Sequence, residues 1–224
     1  MKKLFKSIAS KLPLTLQQDM KRLYFRVQIC TGNFLTDEAE YSRLDEWIKE
    51  GDWVIDVGAN VGHYTHKLST LVGRQGRVIA VEPVPHTFEL LAANASLSRN
   101  KNISLFNVAA SETTRIAGVS MPNFSTGLKN YYMARITEGA AELNIFTLAL
   151  DSLDIQEKIS LIKIDVEGHE LSALKGMKRT IEKNKPVLVV EGECAQVEAF
   201  LGEIGYVFQK MAGSPNRIYL NSAG

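Results

Sequence analysis

The 224-residue sequence predicts an α/β protein with a doubly wound, mostly parallel sheet and helices on both faces of the sheet. After residue 50, short apolar runs alternate regularly with stretches of helical periodicity, which indicates repeated strand–helix units. The apolar runs are continuous, as is typical of parallel strands that are buried on both faces. In such a sheet the ligand crevice lies at the carboxyl ends of the strands.

The individual elements follow from the same pattern. The strands are apolar runs bounded by glycine, proline or polar residues, and they are expected at residues 53–57, 77–81, 103–108, 145–150, 159–164 and 187–190, with an antiparallel pair at 206–208 and 217–220. Helical spacing of apolar residues predicts helices at residues 4–26, 37–49, 61–71, 85–98, 169–182 and 194–204.

Two regions stand apart from this rhythm. Residues 1–49 are predicted to form a basic helical N-terminal extension, and residues 50–224 a single main domain. Within the main domain, residues 111–144 show no dominant period, and glycine and proline interrupt them repeatedly. We therefore expect an irregular insertion there.

The charge distribution separates the first 35 residues from the rest of the chain. They contain seven Lys or Arg residues and one Asp, whereas the remainder contains 19 basic and 24 acidic residues. Two interpretations stay open for the basic segment, a solvated helical arm and a weak peripheral contact with an anionic membrane. The acidic main domain offers little attraction to a phosphate backbone, so no nucleic-acid partner is expected.

The cysteines and the apolar runs indicate a cytoplasmic protein. Cys30 and Cys194 lie far apart and lack metal-ligand spacing, which predicts neither a disulfide nor a zinc site. No apolar run approaches the ~18 residues that a spanning helix needs. The basic start also lacks the uninterrupted apolar stretch of a signal peptide.

Polar side chains stand near the carboxyl ends of five predicted strands, namely Asp56, Glu82, Asn107, Asp165 and Glu191. Four of the five are carboxylates, which buried strands do not favour for packing reasons. Each acid taken alone is also a candidate cap of the following helix, but the set indicates a ligand site.

The turn after the first strand distinguishes two classes of ligand. Gly58 and Gly62 allow a tight turn and close helix packing, but Asp56 stands where a nicotinamide-binding turn has its first glycine. A carboxylate at that position repels a pyrophosphate and attracts an ammonium, and S-adenosylmethionine carries both an amino group and a sulfonium. Glu82 can accept hydrogen bonds from both ribose hydroxyls, and Pro83 offers an apolar edge to adenine. The sequence therefore predicts S-adenosylmethionine as the cofactor.

Four segments resemble the FkbM family of S-adenosylmethionine-dependent methyltransferases, namely residues 56–65, 81–83, 150–153 and, above all, 163–170. The resemblance covers roughly residues 50–192. It implies the Rossmann-like fold of class I methyltransferases, with a seven-stranded sheet whose last strand is antiparallel. It also implies O-methylation of a hydroxyl on a sugar, a glycolipid or a polyketide-like acceptor.

The sequence assigns roles to particular residues at this site. The expected cofactor-binding residues are Asp56, Gly58, Ala59, Asn60, Gly62, Glu82, Pro83, Asn107 and Ala109. The expected catalytic residues are Lys163, Asp165, Glu167 and His169. Methyl transfer to a hydroxyl needs in-line alignment and a proton acceptor, and which of the last three residues is that acceptor stays open.

Several alternatives accompany this interpretation. No metal is expected, although a divalent ion on Asp165 and Glu191 would be a second way to activate a hydroxyl. The aromatic residues of the insertion, Phe124, Tyr131 and Tyr132, either contact the small-molecule or glycan acceptor or form a hydrophobic cluster beneath a loop. The alternative functions are a nicotinamide-dependent oxidoreductase and a non-catalytic cofactor-binding module.

Overall fold

A computed structural model describes residues 12–122, 133–137, 139 and 141–222 of the chain. The described strands are β1 (Trp53–Val57), β2 (Arg77–Val81), β3 (Ile103–Phe106), β4 (Ala109–Ala110), β5 (Arg115–Ser120), β6 (Arg135–Thr137), β7 (Leu143–Leu148), β8 (Ile159–Ile164), β9 (Val187–Glu191), β10 (Tyr206–Lys210) and β11 (Asn216–Asn221). The described α-helices are α1 (Leu14–Cys30), α2 (His63–Leu71), α3 (Pro85–Ser96), α4 (Glu170–Lys175), α5 (Lys178–Asn184) and α6 (Ala195–Glu203). Two 3-10 helices span Ala39–Glu46 and Leu150–Leu153.

The main sheet has seven strands in the order β10-β11-β9-β8-β1-β2-β3. The strands from β9 to β3 pair in parallel, and β11 pairs antiparallel with both β9 and β10. The predicted doubly wound, mostly parallel sheet is therefore confirmed, as is the antiparallel pair at its edge. The strand order reverses beside β1, so the carboxyl end of β1 lies at the point where such sheets bind ligands.

Side chains of each central strand alternate between two buried faces. On one face, Ile55 and Ile162 pack in the core formed with α4, α5 and α6. On the other face, Val54 and Leu161 pack against α2 and the 3-10 helix Ala39–Glu46. This alternation places Asp56 and Lys163 on the second face, and the register of β1 and β8 sets them side by side.

The predicted helix at residues 169–182 is wrong in one respect, because the structure has two helices there. Asp151 stabilises the break between α4 and α5. Its backbone N–H donates to the carbonyl of Gly176 at 2.9 Å, and its carboxylate accepts from the N–H groups of Arg179 and Thr180 at 2.8 and 2.9 Å. A side chain from a distant segment thus caps a helix end that periodicity alone does not reveal.

The insertion at residues 111–144 is more regular than the sequence predicted. It contributes most of a second sheet, with the order β4-β7-β5-β6, in which β5 pairs antiparallel with both β6 and β7. The expectation of an irregular segment was wrong because pairing with β7 supplies the backbone hydrogen bonds that the weak local pattern did not indicate. Phe124, Tyr131 and Tyr132 lie outside the described residues.

The N-terminal segment packs on the main domain. The predicted helix at 4–26 corresponds in the described residues to α1, and Phe25 and Ile29 of α1 contact Phe34, Val61 and Leu90. The predicted helix at 37–49 is instead the 3-10 helix Ala39–Glu46, whose Tyr41 and Leu44 are buried against the sheet. Within the described residues, no helix is both long enough and apolar enough to cross a membrane.

Candidate active site

The turn between β1 and α2 is built on two glycines in the left-handed region of backbone space. Gly58 has a φ of +74°, and a Cβ at this position would lie 1.7 Å from the carbonyl oxygen of Asp165. Gly62 has a φ of +97°, and a Cβ there would lie 2.8 Å from Leu91 Cδ1. Only glycine combines this conformation with so close an approach, so the turn and the Asp165 backbone are held together as one unit.

Glu82 follows β2 and faces this turn. Its Oε2 accepts a hydrogen bond from the Asn60 N–H at 3.0 Å, and its Oε1 accepts from the Val84 N–H at 2.9 Å. The side chain is only 6% exposed, and burial raises its pKa to about 7 against the opposing effect of these two backbone donors. Each carboxylate oxygen retains a further acceptor position, so Glu82 can accept two hydroxyl hydrogen bonds from one ligand.

A pocket opens at the carboxyl ends of β1, β2, β8 and β9. The predicted cofactor residues that line it are Gly58, Asn60, Glu82, Pro83 and Ala109, and the predicted catalytic residues that line it are Asp165, Glu167 and His169. Five other predicted residues do not line it, namely Asp56, Ala59, Gly62, Asn107 and Lys163. The structure therefore brings members of both predicted groups to one cavity.

Asn107 and Asp56 lie next to residues of the pocket lining without lining it themselves. Asn107 donates from Nδ2 to the carbonyl oxygens of Glu82 and Pro83, at 2.8 and 3.1 Å, and so fixes the segment that carries the pocket-lining acid. Asp56 is fully buried, and its Oδ2 accepts from Thr65 Oγ1 at 2.5 Å. Burial raises the pKa of Asp56, although Lys163 opposes the shift. Asp56 lies beneath the turn, and its direct contact with a ligand ammonium stays a prediction.

The buried Lys163 forms an ion pair with the half-buried Asp165, in which Nζ lies 2.8 Å from Oδ2. Lys163 Nζ also lies 4.8 Å from the centroid of the Tyr64 ring. Burial would lower the pKa of Lys163, but the carboxylates of Asp165 and Asp56 outweigh it and raise that pKa. Burial would likewise raise the pKa of Asp165, and the Lys163 ammonium instead holds it below the usual range. Both side chains are therefore ionised at neutral pH, and Lys163 acts on the pocket through Asp165.

Three carboxylates meet at the reacting end of the pocket. Asp165, Glu167 and Glu191 each offer an oxygen, and these oxygens all lie within 4.8 Å of one another. Burial, together with the hydrogen bond and charge of Asp165, raises the pKa of Glu191 to about 8. The pKa of Glu167 is also raised, by burial first and then by Asp165. At neutral pH Glu191 therefore holds a proton beside the ionised Asp165.

This cluster has the oxygen ligands that a hard divalent ion prefers. Two of its members are the carboxylates that the sequence offered as a metal alternative, and Glu167 adds a third. The Lys163 ammonium and the raised pKa of Glu191 also reduce the negative charge of this cluster. The absence of a metal from the mechanism stays a prediction.

His169 precedes α4 and points one ring nitrogen at the second sheet. Its Nε2 lies 3.0 Å from Ser111 Oγ, and burial lowers the pKa of the ring, which is therefore neutral at neutral pH. Glu167 adopts a φ of +55°, which is strained for a residue with a side chain. Glu170 stabilises this turn, because its Oε1 accepts from the Gly168 N–H at 2.9 Å. Glu170 therefore has a structural role.

The sequence did not predict the apolar wall of the pocket. Four apolar residues of the second sheet and its surroundings line the cavity, namely Val119, Ala134, Ile136 and Ile145. The alternation of buried Ala117 and Val119 in β5 is the one signal that pointed to a strand with a buried face. It is only one period long and is therefore easily missed.

The donors and acceptors of the pocket fit S-adenosylmethionine. Glu82 has acceptor positions for two hydroxyls, as a ribose requires. Asn60 lines the pocket, and its buried Oδ1 has no hydrogen-bond partner within the described residues. A buried acceptor without a partner is costly, so a donor from a bound molecule would stabilise it.

The strand order and the pocket at the switch point define a class I methyltransferase fold. The family model for the FkbM methyltransferase domain matches residues 56–208, and the chain belongs to this family. The predicted family and fold class are thus confirmed, and membership of this family supports S-adenosylmethionine as the cofactor. The nicotinamide-dependent alternative is not supported.

Three individual proteins are similar to this chain in sequence or in fold. The chain is 32% identical over 149 residues to hexuronic acid methyltransferase AglP of Haloferax volcanii, an alignment that covers 65% of this chain and 58% of that protein. The fold is similar to that of an FkbM methyltransferase from Methylobacillus flagellatus, with a TM-score of 0.55 and 19% identity over 96% of this chain and 57% of the other. It is also similar to Aeropyrum pernix fibrillarin, with a TM-score of 0.50 and 13% identity over 78% and 68% of the two chains. The match thus spans little more than half the length of the first two relatives.

Proposed function

We propose that this chain transfers a methyl group from S-adenosylmethionine to a hydroxyl group of a sugar-containing acceptor. The observation that carries the proposal is the position of Asp165, an ionised carboxylate that lines the same pocket as the ribose-binding candidate Glu82. A proton acceptor and a cofactor-binding acid thus face one cavity. This is what transfer to a hydroxyl requires.

At the cofactor end, the residues of this chain would bind and orient S-adenosylmethionine. S-adenosylmethionine supplies a methyl group that is activated by its positively charged sulfur. Glu82 would hold the two ribose hydroxyls, Asn60 Oδ1 would accept a further hydrogen bond, and Pro83 would contact the adenine edge. Asp56 lies buried beneath the turn beside Lys163, and in its ionised form it would favour a cationic ligand.

At the reacting end, Asp165 is the proposed proton acceptor. The Asp165 carboxylate would accept the proton of the acceptor hydroxyl as that oxygen takes the methyl group. Lys163 keeps Asp165 ionised and fixes its orientation, so we propose Lys163 as a positioning residue. A hydrogen bond between Glu191 and Asp165 also orients the Asp165 carboxylate. Glu167 and His169 are proposed to contact the acceptor.

Two observations favour a sugar as the acceptor. The acids provide several hydrogen-bond acceptors for neighbouring hydroxyl groups, whereas the wall with Val119 and Ile145 offers an apolar surface to the face of a ring. The name of the Haloferax volcanii relative also states a sugar acid as its substrate. A hydroxyl-rich ring fits both sides of the pocket.

The direct test uses cofactor labelled in its methyl group, incubated with a panel of free sugars, sugar acids and glycolipids. Mass spectrometry should find one added methyl group on a sugar oxygen, and the Asp165→Asn protein should produce far less of this product. Label on an amine, on RNA or on no member of a panel that includes sugar acids would contradict the proposal.

A further inference from the structure

One side of α1 carries large apolar residues that no described part of the chain covers. Five of them, exposed by 45–64%, are Leu16, Met20, Leu23, Tyr24 and Val27. At 100° per residue these positions fall within an arc of about 100° on the helix surface. We call these five residues the α1 stripe. Large exposed apolar surfaces on one helix face mark interaction sites.

The opposite side of α1 fixes the helix to the main domain. Phe25 is buried and packs edge-to-face on Phe34, with ring centroids 5.7 Å apart. Gln18 Nε2 donates to the carbonyl of His86 at 3.2 Å, and Arg22 pairs with Glu89 at 3.3 Å. The α1 stripe therefore faces outward because the other face of the helix holds it there.

Positive charge accompanies the stripe. The first 35 residues carry seven Lys or Arg residues and one Asp, and four of the lysines precede α1 in the sequence. On the helix itself, Arg26 and Asp19 flank the stripe on one side, whereas Arg22 pairs with Glu89 and Lys21 is half-buried. An apolar stripe beside basic residues matches an anionic bilayer, in which acyl chains receive the apolar side chains and headgroups attract the cations.

We propose that the α1 stripe docks this protein on an anionic membrane surface. A second copy of the chain is the less favourable occupant, because pairing two stripes would bring two basic segments together. The helix that α1 packs against, α3, carries Thr87 on the wall of the active-site pocket. Docking would thus hold the pocket close to the membrane surface. The proposal does not depend on the identity of the methyl acceptor.

The test is co-sedimentation of the full chain with vesicles of phosphatidylcholine alone or of phosphatidylcholine mixed equally with phosphatidylglycerol. The wild-type protein should bind the anionic vesicles more tightly, and added salt should weaken the binding. The double variant Leu23→Glu/Val27→Glu should lose about ten-fold or more in partitioning. It removes two apolar side chains that the bilayer would bury, and it adds negative charges that the anionic lipid repels. Both substitutions lie at exposed positions and should leave cofactor affinity unchanged.

The matched control is Val207→Glu, which makes the same change at a 57% exposed position on the edge strand β10. It should bind vesicles like the wild type. Equal sedimentation of the wild type with both vesicle types, or unchanged binding by the double variant, would overturn the proposal. A concentration-dependent dimer that the double variant dissociates, without vesicle binding, would assign the stripe to a second copy instead.

Discussion

The two ends of the pocket are built in different ways. At the cofactor end, backbone geometry does most of the work, since Gly58 allows a close approach and two backbone N–H groups hold the Glu82 carboxylate. At the reacting end, side-chain charges control one another, because Lys163 keeps Asp165 ionised while Asp165 keeps a proton on Glu191. The difference teaches that ligand binding here rests on backbone geometry, whereas reactivity rests on the coupling of neighbouring side-chain charges.

The largest expected effect comes from a substitution that impairs the reacting end alone. Asp165→Asn should lower turnover by about 100-fold or more, as the loss of a general base does, and should change the dissociation constant of the cofactor by less than about three-fold. Calorimetry with S-adenosylhomocysteine and a methyl-transfer assay measure the two quantities. Asp154→Asn, on an exposed surface ion pair, is the matched control. Equal turnover of the Asp165 variant and wild type would remove Asp165 from the mechanism.

The same assay distinguishes His169 from Asp165 as the proton acceptor. His169→Gln keeps a polar group near Ser111 but removes the titratable ring. If Asp165 is the base, turnover of this variant should fall by about ten-fold or less, as expected for a lost acceptor contact of ~1 kcal/mol. A larger loss than in Asp165→Asn would transfer the role to His169.

The next largest effect concerns the cofactor end. Glu82→Gln should weaken cofactor binding by about 10- to 100-fold, since hydrogen bonds to a charged group contribute ~1.5–3 kcal/mol. Because hydroxyl donors favour the ionised carboxyl, wild-type affinity should rise as the pH rises through about 7, and the Gln variant should not show this rise. Titration calorimetry from about one pH unit below that pKa to about one unit above it measures both effects. Glu89→Gln, on the exposed surface of α3, should behave as wild type; a pH-independent wild type would contradict the assignment.

Substitutions at two glycines test whether the close approach of the turn to Asp165 stabilises the protein. Gly58→Ala places a Cβ against the Asp165 carbonyl, whereas a Cβ at Gly168, where φ is +96°, would have no atom of the described residues within 4 Å. Both substitutions meet the left-handed strain, so the Gly58 variant should be less stable by about 1–3 kcal/mol in excess of the Gly168 variant. Denaturant unfolding measures the difference. Equal losses would show that the close approach of the two segments is not needed.

The smallest expected effect is that of a chelator. Since Lys163 and the Glu191 proton already offset the charge of the three carboxylates, turnover should stay the same in excess EDTA and on later addition of Mg²⁺. A loss with EDTA that Mg²⁺ restores would show that the acids of the reacting end bind a metal.

The sequence by itself determined the sheet and the identity of most residues at the pocket. Continuous apolar runs predicted the main strands to within a few residues, and the acids at the strand ends predicted the pocket edge, because strand direction in a parallel sheet brings those ends together. Gly58 and Glu82 were also recognisable, because each belongs to a short sequence pattern that local backbone geometry requires.

Only the tertiary structure decided which of these residues face the cavity and what charge they carry. Asp56 and Lys163 do not line the cavity because β1 and β8 pair side by side beneath α2, a contact between residues more than 100 positions apart. The second sheet became apparent only through the pairing of β5 with β7, which no local period indicates. The pKa of Glu191 likewise depends on burial and on neighbours from another strand, and such long-range electrostatic effects leave no local trace in the sequence.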